Sequence, residues 1–167
     1  MKTLLAIDPG MATGLFWGKY DTLTPLTRLG FAQITGGLRG LMAFLRDNPI
    51  MHSHLVVCEK FDPRPMARQF RTNELEPLRI EGAVEFMFED DVTWQRPASM
   101  VLAGGDTQAE RKRKSDDILR RNGWWLTGKD VGLADANDAN AAAKHALAYM
   151  RNIGHEPSIS AHLSVVV

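Results

Sequence analysis

A chain of 167 residues, 44% of them apolar, has the length of one domain and enough hydrophobic material for a core of its own. Twenty lysines and arginines against twenty aspartates and glutamates exclude a generally basic coat, which counts against a simple nucleic-acid binder unless a cation removes several acids from the balance. The single cysteine, Cys58, excludes an internal disulfide and any CxxC zinc site, and no apolar run is long enough to span a bilayer, so a reducing, cytoplasmic setting is expected.

Thr3 to Asp8 is dense in Leu and Ile, as a buried central strand is. Pro9-Gly10 and Gly14 bracket a tight turn. Leu15 to Tyr20 and Leu26 to Thr35 then return as strands, stopped by Gly36-Gly37, which completes an antiparallel meander. Leu38, Leu41, Met42 and Leu45 recur at helical spacing, predicting a helix from Leu38 to Asp47. His54 to Glu59 follows as a strand in parallel return. Phe61 to Arg71 reads as a loop bearing proline and arginine, Asn73 to Glu89 as a helix, and Val92 to Gln95 as a fifth strand. Pro97 to Ala103 suits a helical turn, Thr107 to Arg121 a charged helix, and Leu133 to Asn152 an alanine-rich helix capped by Gly154. A domain over residues 1–155 is expected, followed by a tail, 156–167, with no assigned structure. The order is that of the ribonuclease H-like α/β arrangement: a mixed five-stranded sheet, its first three strands a meander and the last two added through helices, with helices on both faces.

Four acids occupy particular places in this order. Asp8 and Glu59 end strands expected to be parallel neighbours, where active groups of such sheets gather. Asp135 and Asp138 open the last long helix, three residues apart, and would share one face of it. Capping would explain acids at a helix start. The alanines at 134, 136, 139, 141, 142 and 143 instead suit a buried helix, where acids need a counter-charge. Carboxylates brought together call for a divalent cation, and such centres handle phosphate. The glycines of Asp8-Pro9-Gly10-Met11-Ala12-Thr13-Gly14 would let a phosphate or metal approach the backbone.

Leu5-Ala6-Ile7-Asp8-Pro9-Gly10 with Thr13-Gly14, then Val56-Val57-Cys58-Glu59, then Ala134-Asp135-Ala136-Asn137-Asp138-Ala139 resemble the RuvC family of Holliday-junction resolvases over about residues 3 to 150. The resemblance implies that Asp8, Glu59, Asp135 and Asp138 hold two Mg2+ ions, with Mn2+ as substitute. It also implies hydrolysis leaving 5′-phosphate and 3′-hydroxyl ends. Lys114, in Ala109-Glu110-Arg111-Lys112-Arg113-Lys114-Ser115, looks like the family's catalytic lysine. A second family lysine falls on Ser99. The first turn is one residue shorter than in the cellular bacterial enzymes, more like a bacteriophage-encoded or otherwise divergent member.

Further expectations concern partners. Arg64, Arg68 and Arg71, with the basic run Arg111, Lys112, Arg113 and Lys114, suit phosphate contact, the alternative being a solvated helix face. Phe61, two residues after Glu59, resembles the family's aromatic that stacks on unpaired bases. Trp124-Trp125 are expected to pack. His145, seven residues after Asp138, is expected at the surface or behind the ligands. The resemblance, with the two-fold symmetry of a junction, implies a homodimer with two active sites on a branched DNA. The helix 73–89 is its expected interface, because Phe86, Met87 and Phe88 exceed one apolar stripe, the alternative being that they bury under a loop. The competing readings are an actin-like nucleotide-binding module, a non-catalytic branched-DNA binder, and a YqgF-like or ribonuclease H-like nuclease acting on RNA.

Overall fold

In the computed structural model, residues 1–49, 51, 55–61 and 75–164 are described. Five strands form one sheet in the order β3-β2-β1-β4-β5: β1 Lys2–Asp8, β2 Ala12–Tyr20, β3 Thr27–Thr35, β4 Leu55–Glu59 and β5 Val92–Gln95. β1, β2 and β3 are antiparallel neighbours, whereas β4 runs parallel to β1 and β5 parallel to β4. This is the ribonuclease H-like arrangement anticipated from the sequence. The helices are α1 Gly37–Asp47, α2 Glu76–Phe88, α3 Gln108–Arg121, α4 Gly128–Val131, α5 Asn137–Asn152 and α6 Glu156–Ser158. None of the described helices is long and apolar enough to cross a membrane.

The strand period of two sorts the central residues onto two faces. Leu5, Ile7, Leu15, Val56 and Cys58 pack with Leu41 and Leu45 of α1 and Ile80, Val84 and Phe88 of α2. Leu4, Ala6, Phe16 and Val57 pack on the other face with α5 and with Ile118 and Leu119 of α3. α5 is buried along its length: Ala139, Ala142, Ala143, Ala146 and Ala148 keep it thin enough to lie close on the sheet. The same alternation directs Asp8, two residues after Ala6, and Glu59, two after Val57, towards α5.

Two expectations change here. Asp135 precedes α5, whose first residue is Asn137, so Asp135 and Asp138 do not share a helical face. The acid lies in the loop because the backbone at Ala136 (φ −126°, ψ 32°) has not yet become helical. The segment after Pro157 is not without structure. α6 leads into a wide turn, Ile159–Leu163, and the buried Ser158 Oγ accepts the Leu26 N–H at 2.8 Å. His155 spans Ser158 Oγ and the Asp21 carbonyl (2.7 Å each). His162 spans Asn122 Oδ1 and the Leu26 carbonyl (2.8 Å each) and lies against Trp124, which also packs on Phe16. Short polar residues hid this anchorage, because its partners are more than 100 residues away in sequence for Ser158, and for His155 and the Leu26 end of His162 as well.

Burial pushes the His162 ring below its ordinary pKa, with the Leu26 carbonyl contact opposing. The native state therefore holds fewer protons on this ring than the unfolded chain does between the two values. Stability from this group is complete above about pH 6.5 and falls as the pH drops towards the lower folded value. Urea midpoints measured between about pH 5 and pH 7.5 should show this acid loss, and His162→Gln should flatten it. An unchanged slope in the variant would contradict the assignment.

Candidate metal centre

Three elements deliver the acidic site. Parallel pairing puts Ile7 beside Cys58, so the next residue of β1, Asp8, and the last of β4, Glu59, stand together at the strand tips. On the other side of β1, Asp8 pairs with Gly14 of β2. The first turn of α5 rests on that glycine: a β-carbon at Gly14 would lie 1.9 Å from the Asp138 carbonyl oxygen and 2.1 Å from its carbon. Gly14 therefore admits a helix backbone, not a phosphate as the turn motif suggests. Thr13 is buried and closes the turn through Oγ1 to the Gly10 carbonyl, 2.9 Å.

α5 lacks a side-chain cap of its own. Gln33 of β3 supplies it from across the sheet. Its Oε1 accepts the N–H groups of Asp138 (3.1 Å) and Ala139 (3.2 Å), and its Nε2 donates to the Asp135 carbonyl (3.1 Å). The Asp135 carboxylate accepts the Asn137 N–H at 3.1 Å and is exposed. The helix start is thus satisfied without the Asp138 carboxylate. Nothing in the sequence marks Gln33 for this task, since its partners lie 102 to 106 residues away. Gln33→Leu is expected to cost about 1 kcal/mol, as lost caps do. It should also weaken Mn2+ binding, measured by calorimetry. Unchanged metal affinity would contradict this role.

The electrostatics show acids crowded without sufficient counter-charge. Burial, followed by the charges of Glu59 and Asp138, pushes the Asp8 carboxyl well above the usual carboxylate range, with Lys144 opposing. Asp138 is raised by burial and then by Asp135. Lys144 is buried on α5 and paired with Asp116 of α3, so its charge is largely committed. Lys114, the lysine singled out in the sequence, is half-buried and pairs with Glu110 one turn earlier at 2.8 Å.

His145 is not at the surface. It is fully buried on α5 between Glu59 Oε2 (2.6 Å from Nε2) and Gln95 Oε1 (2.8 Å from Nδ1). Glu59 and Gln95 are paired across β4 and β5, so the imidazole straddles an in-register pair. Asp8, Glu59 and His145 each offer a ligand atom within 4.8 Å of the others. An uncompensated set of oxygen donors with one imidazole suits a divalent cation.

Phe61 is half-buried, and its N–H donates to the Glu81 carboxylate of α2, an acid raised mainly by burial. No motif in the chain singles out Glu81. Arg111 donates Nε to the Gly105 carbonyl (2.6 Å), and Arg113 pairs with Asp117 (3.2 Å). Lys112 is exposed on the same helix. Arg64, Arg68 and Arg71 lie outside the described residues. Trp125 is half-buried beneath Arg120, whose guanidinium carbon is 4.1 Å from the ring centroid.

Fold and site together define a ribonuclease H-like domain with an acidic centre at the tips of β1 and β4. Among solved structures it is similar to the fowlpox virus resolvase in complex with substrate Holliday junction DNA, with TM-score 0.61 and 16% identity over 90% of this chain and 98% of the other. It is also similar to Thermus thermophilus RuvC, with TM-score 0.56 and 18% identity over 92% of this chain and 97% of the other. At such identities the likeness establishes the fold. No protein-family model and no curated protein sequence matches the chain.

Proposed function

We propose that this chain is a divalent-metal-dependent, structure-selective endodeoxyribonuclease that resolves Holliday junctions and related branched DNA, leaving 5′-phosphate and 3′-hydroxyl ends. The observation that carries the proposal is the convergence of Asp8, Glu59 and Asp138 from three elements, with too little positive charge to neutralise them. The two similar folds named above, a viral and a bacterial resolvase, support the choice of substrate.

Asp8, Glu59 and Asp138, with Asp135 beside them, would hold Mg2+ or Mn2+. Cations so held lower the pKa of a water and offset charge on a phosphoryl group. The part of the chain itself is placement. β1 and β4 fix two carboxylates at adjacent tips, and Gly14 with Gln33 seats Asp138 beside them. Lys114, half-buried on α3, would face the phosphate, while Lys144 stays with Asp116. Arg111, Lys112 and Arg113, with Arg64, Arg68 and Arg71, would track neighbouring phosphates, and Phe61 would meet unpaired bases.

A junction of approximate two-fold symmetry needs two cuts, which a homodimer provides. α2 is the proposed interface. Phe86 on it is 85% exposed, and Leu75 and Leu78 are partly so. Sedimentation should show a dimer at micromolar concentration that Phe86→Asp dissociates, and a wild-type monomer would contradict the interface.

The test is cleavage in Mg2+ of a four-way junction, a flap, a Y-fork and an RNA/DNA hybrid. Paired, ligatable nicks in the junction are expected. Cutting confined to the hybrid would favour an RNA-directed nuclease, and junction binding with no cutting by folded, metal-loaded protein would favour a non-catalytic binder.

A further inference from the structure

The buried histidine beside the acids has a role that four carboxylates alone do not explain. Its Nδ1 faces an amide oxygen, Gln95 Oε1, and an amide oxygen only accepts. The proton therefore sits on Nδ1. Nε2 lies 2.6 Å from Glu59 Oε2, a contact that requires either a second ring proton or a cation beside it. Asp8 offers a third ligand atom within 4.8 Å of both, so a cation seated there would meet all three. Imidazoles that ligate metals are held in this way, with the far N–H tied to an acceptor and the near nitrogen offered to the ion. Gln95 presents its oxygen to the ring, while its Nε2 has no hydrogen bond among the described residues. Pairing of Gln95 with Glu59 across the strands fixes both oxygens relative to the ring.

We propose that His145 is a direct metal ligand, forming with Asp8 and Glu59 an inner subsite with one nitrogen donor, beside an outer, all-oxygen subsite of Asp8 and Asp138. This rests on the metal-dependent nuclease reading and makes its centre chemically asymmetric. Asp138 and His145 are seven residues apart on one helix, two turns, so α5 presents one donor to each half. Imidazole suits first-row transition ions, whereas Mg2+ takes oxygen donors and water. The inner subsite therefore selects Mn2+ or a similar ion over Mg2+.

Pulsed electron paramagnetic resonance of the full chain loaded with Mn2+ tests this directly. The expected result is nitrogen-14 coupling to bound Mn2+ in the wild type and its loss in His145→Gln, with Mn2+ affinity lowered at least about tenfold. Gln95→Leu should keep the coupling and lower Mn2+ affinity by about 10- to 100-fold, as loss of a ligand's supporting partner does. Bound Mn2+ without nitrogen coupling, or coupling that persists in His145→Gln, would overturn the ligand assignment and leave the nuclease reading intact. Failure of the folded wild type to bind Mn2+ at all would instead overturn the nuclease reading. Should His145→Gln not fold, the wild-type spectrum decides alone.

Discussion

Asp8→Asn should abolish cleavage and, in the absence of metal, make the protein more stable. The two effects have one cause. Asp8 is half-buried, and loss of water around it, followed by the charges of Glu59 and Asp138, raises its carboxyl well above the usual range. A raised folded-state value means that stability from this group is full at low pH and is lost as the pH rises through that value and the carboxylate forms. At neutral pH, above the unfolded value, the metal-free fold is disfavoured either by the buried charge or by the proton it must retain, and a neutral amide of the same shape removes that penalty. The same amide is a poor ligand for a hard cation. Cleavage should fall by about 10³-fold or more, since even one lost electrostatic contact to a transition state costs ~10²–10³. Thermal unfolding in chelator should show a higher midpoint for the variant, and excess Mn2+ should reverse the ranking. A variant that still cuts, or one destabilised in chelator, would contradict the placement of Asp8.

Gly14→Ala carries the second large effect. Its β-carbon would overlap the Asp138 carbonyl, 1.9 Å away, and the Ala139 nitrogen, 2.6 Å away. The obstacle is backbone on both sides, so no side chain can turn aside. Either β2 or the start of α5 must move. Overpacking of this kind costs about 1–3 kcal/mol, occasionally more, and each kcal/mol lowers the midpoint of a domain this size by roughly 2–4 °C. The shift also carries Asp138 away from Asp8, so Mn2+ affinity should fall with stability. Gly104→Ala is the control: a β-carbon there meets nothing and the backbone is not left-handed, so stability should change by no more than about 0.5 kcal/mol. Equal behaviour of the two variants would contradict the packing described for Gly14.

The strands and the longer helices were legible because their signals are local. Alternation in Leu4-Leu5-Ala6-Ile7 and helical spacing in Leu38 to Leu45 report directly on which face is buried. Asp8 and Glu59 could be placed from sequence for the same reason: each ends an apolar run, and parallel neighbours end on the same side. What escaped depends on pairs distant in the chain. Gln33 looks like any polar residue on a half-exposed edge strand until α5 is set against it. His145 sits among alanines with nothing beside it to show that Glu59 and Gln95 lie opposite. The start of α5 was misplaced because Asp135, Ala136 and Asn137 suit a helix interior and a helix entrance alike, and only the contacts with Gln33 decide between them.

The most direct test of the account is a crystal soaked in Mn2+ and measured for anomalous scattering. Density for bound manganese is expected between the tips of β1 and β4 and the first turns of α5, touching Asp8. A well-ordered crystal with no manganese there would contradict the claim that these acids are gathered to hold a cation.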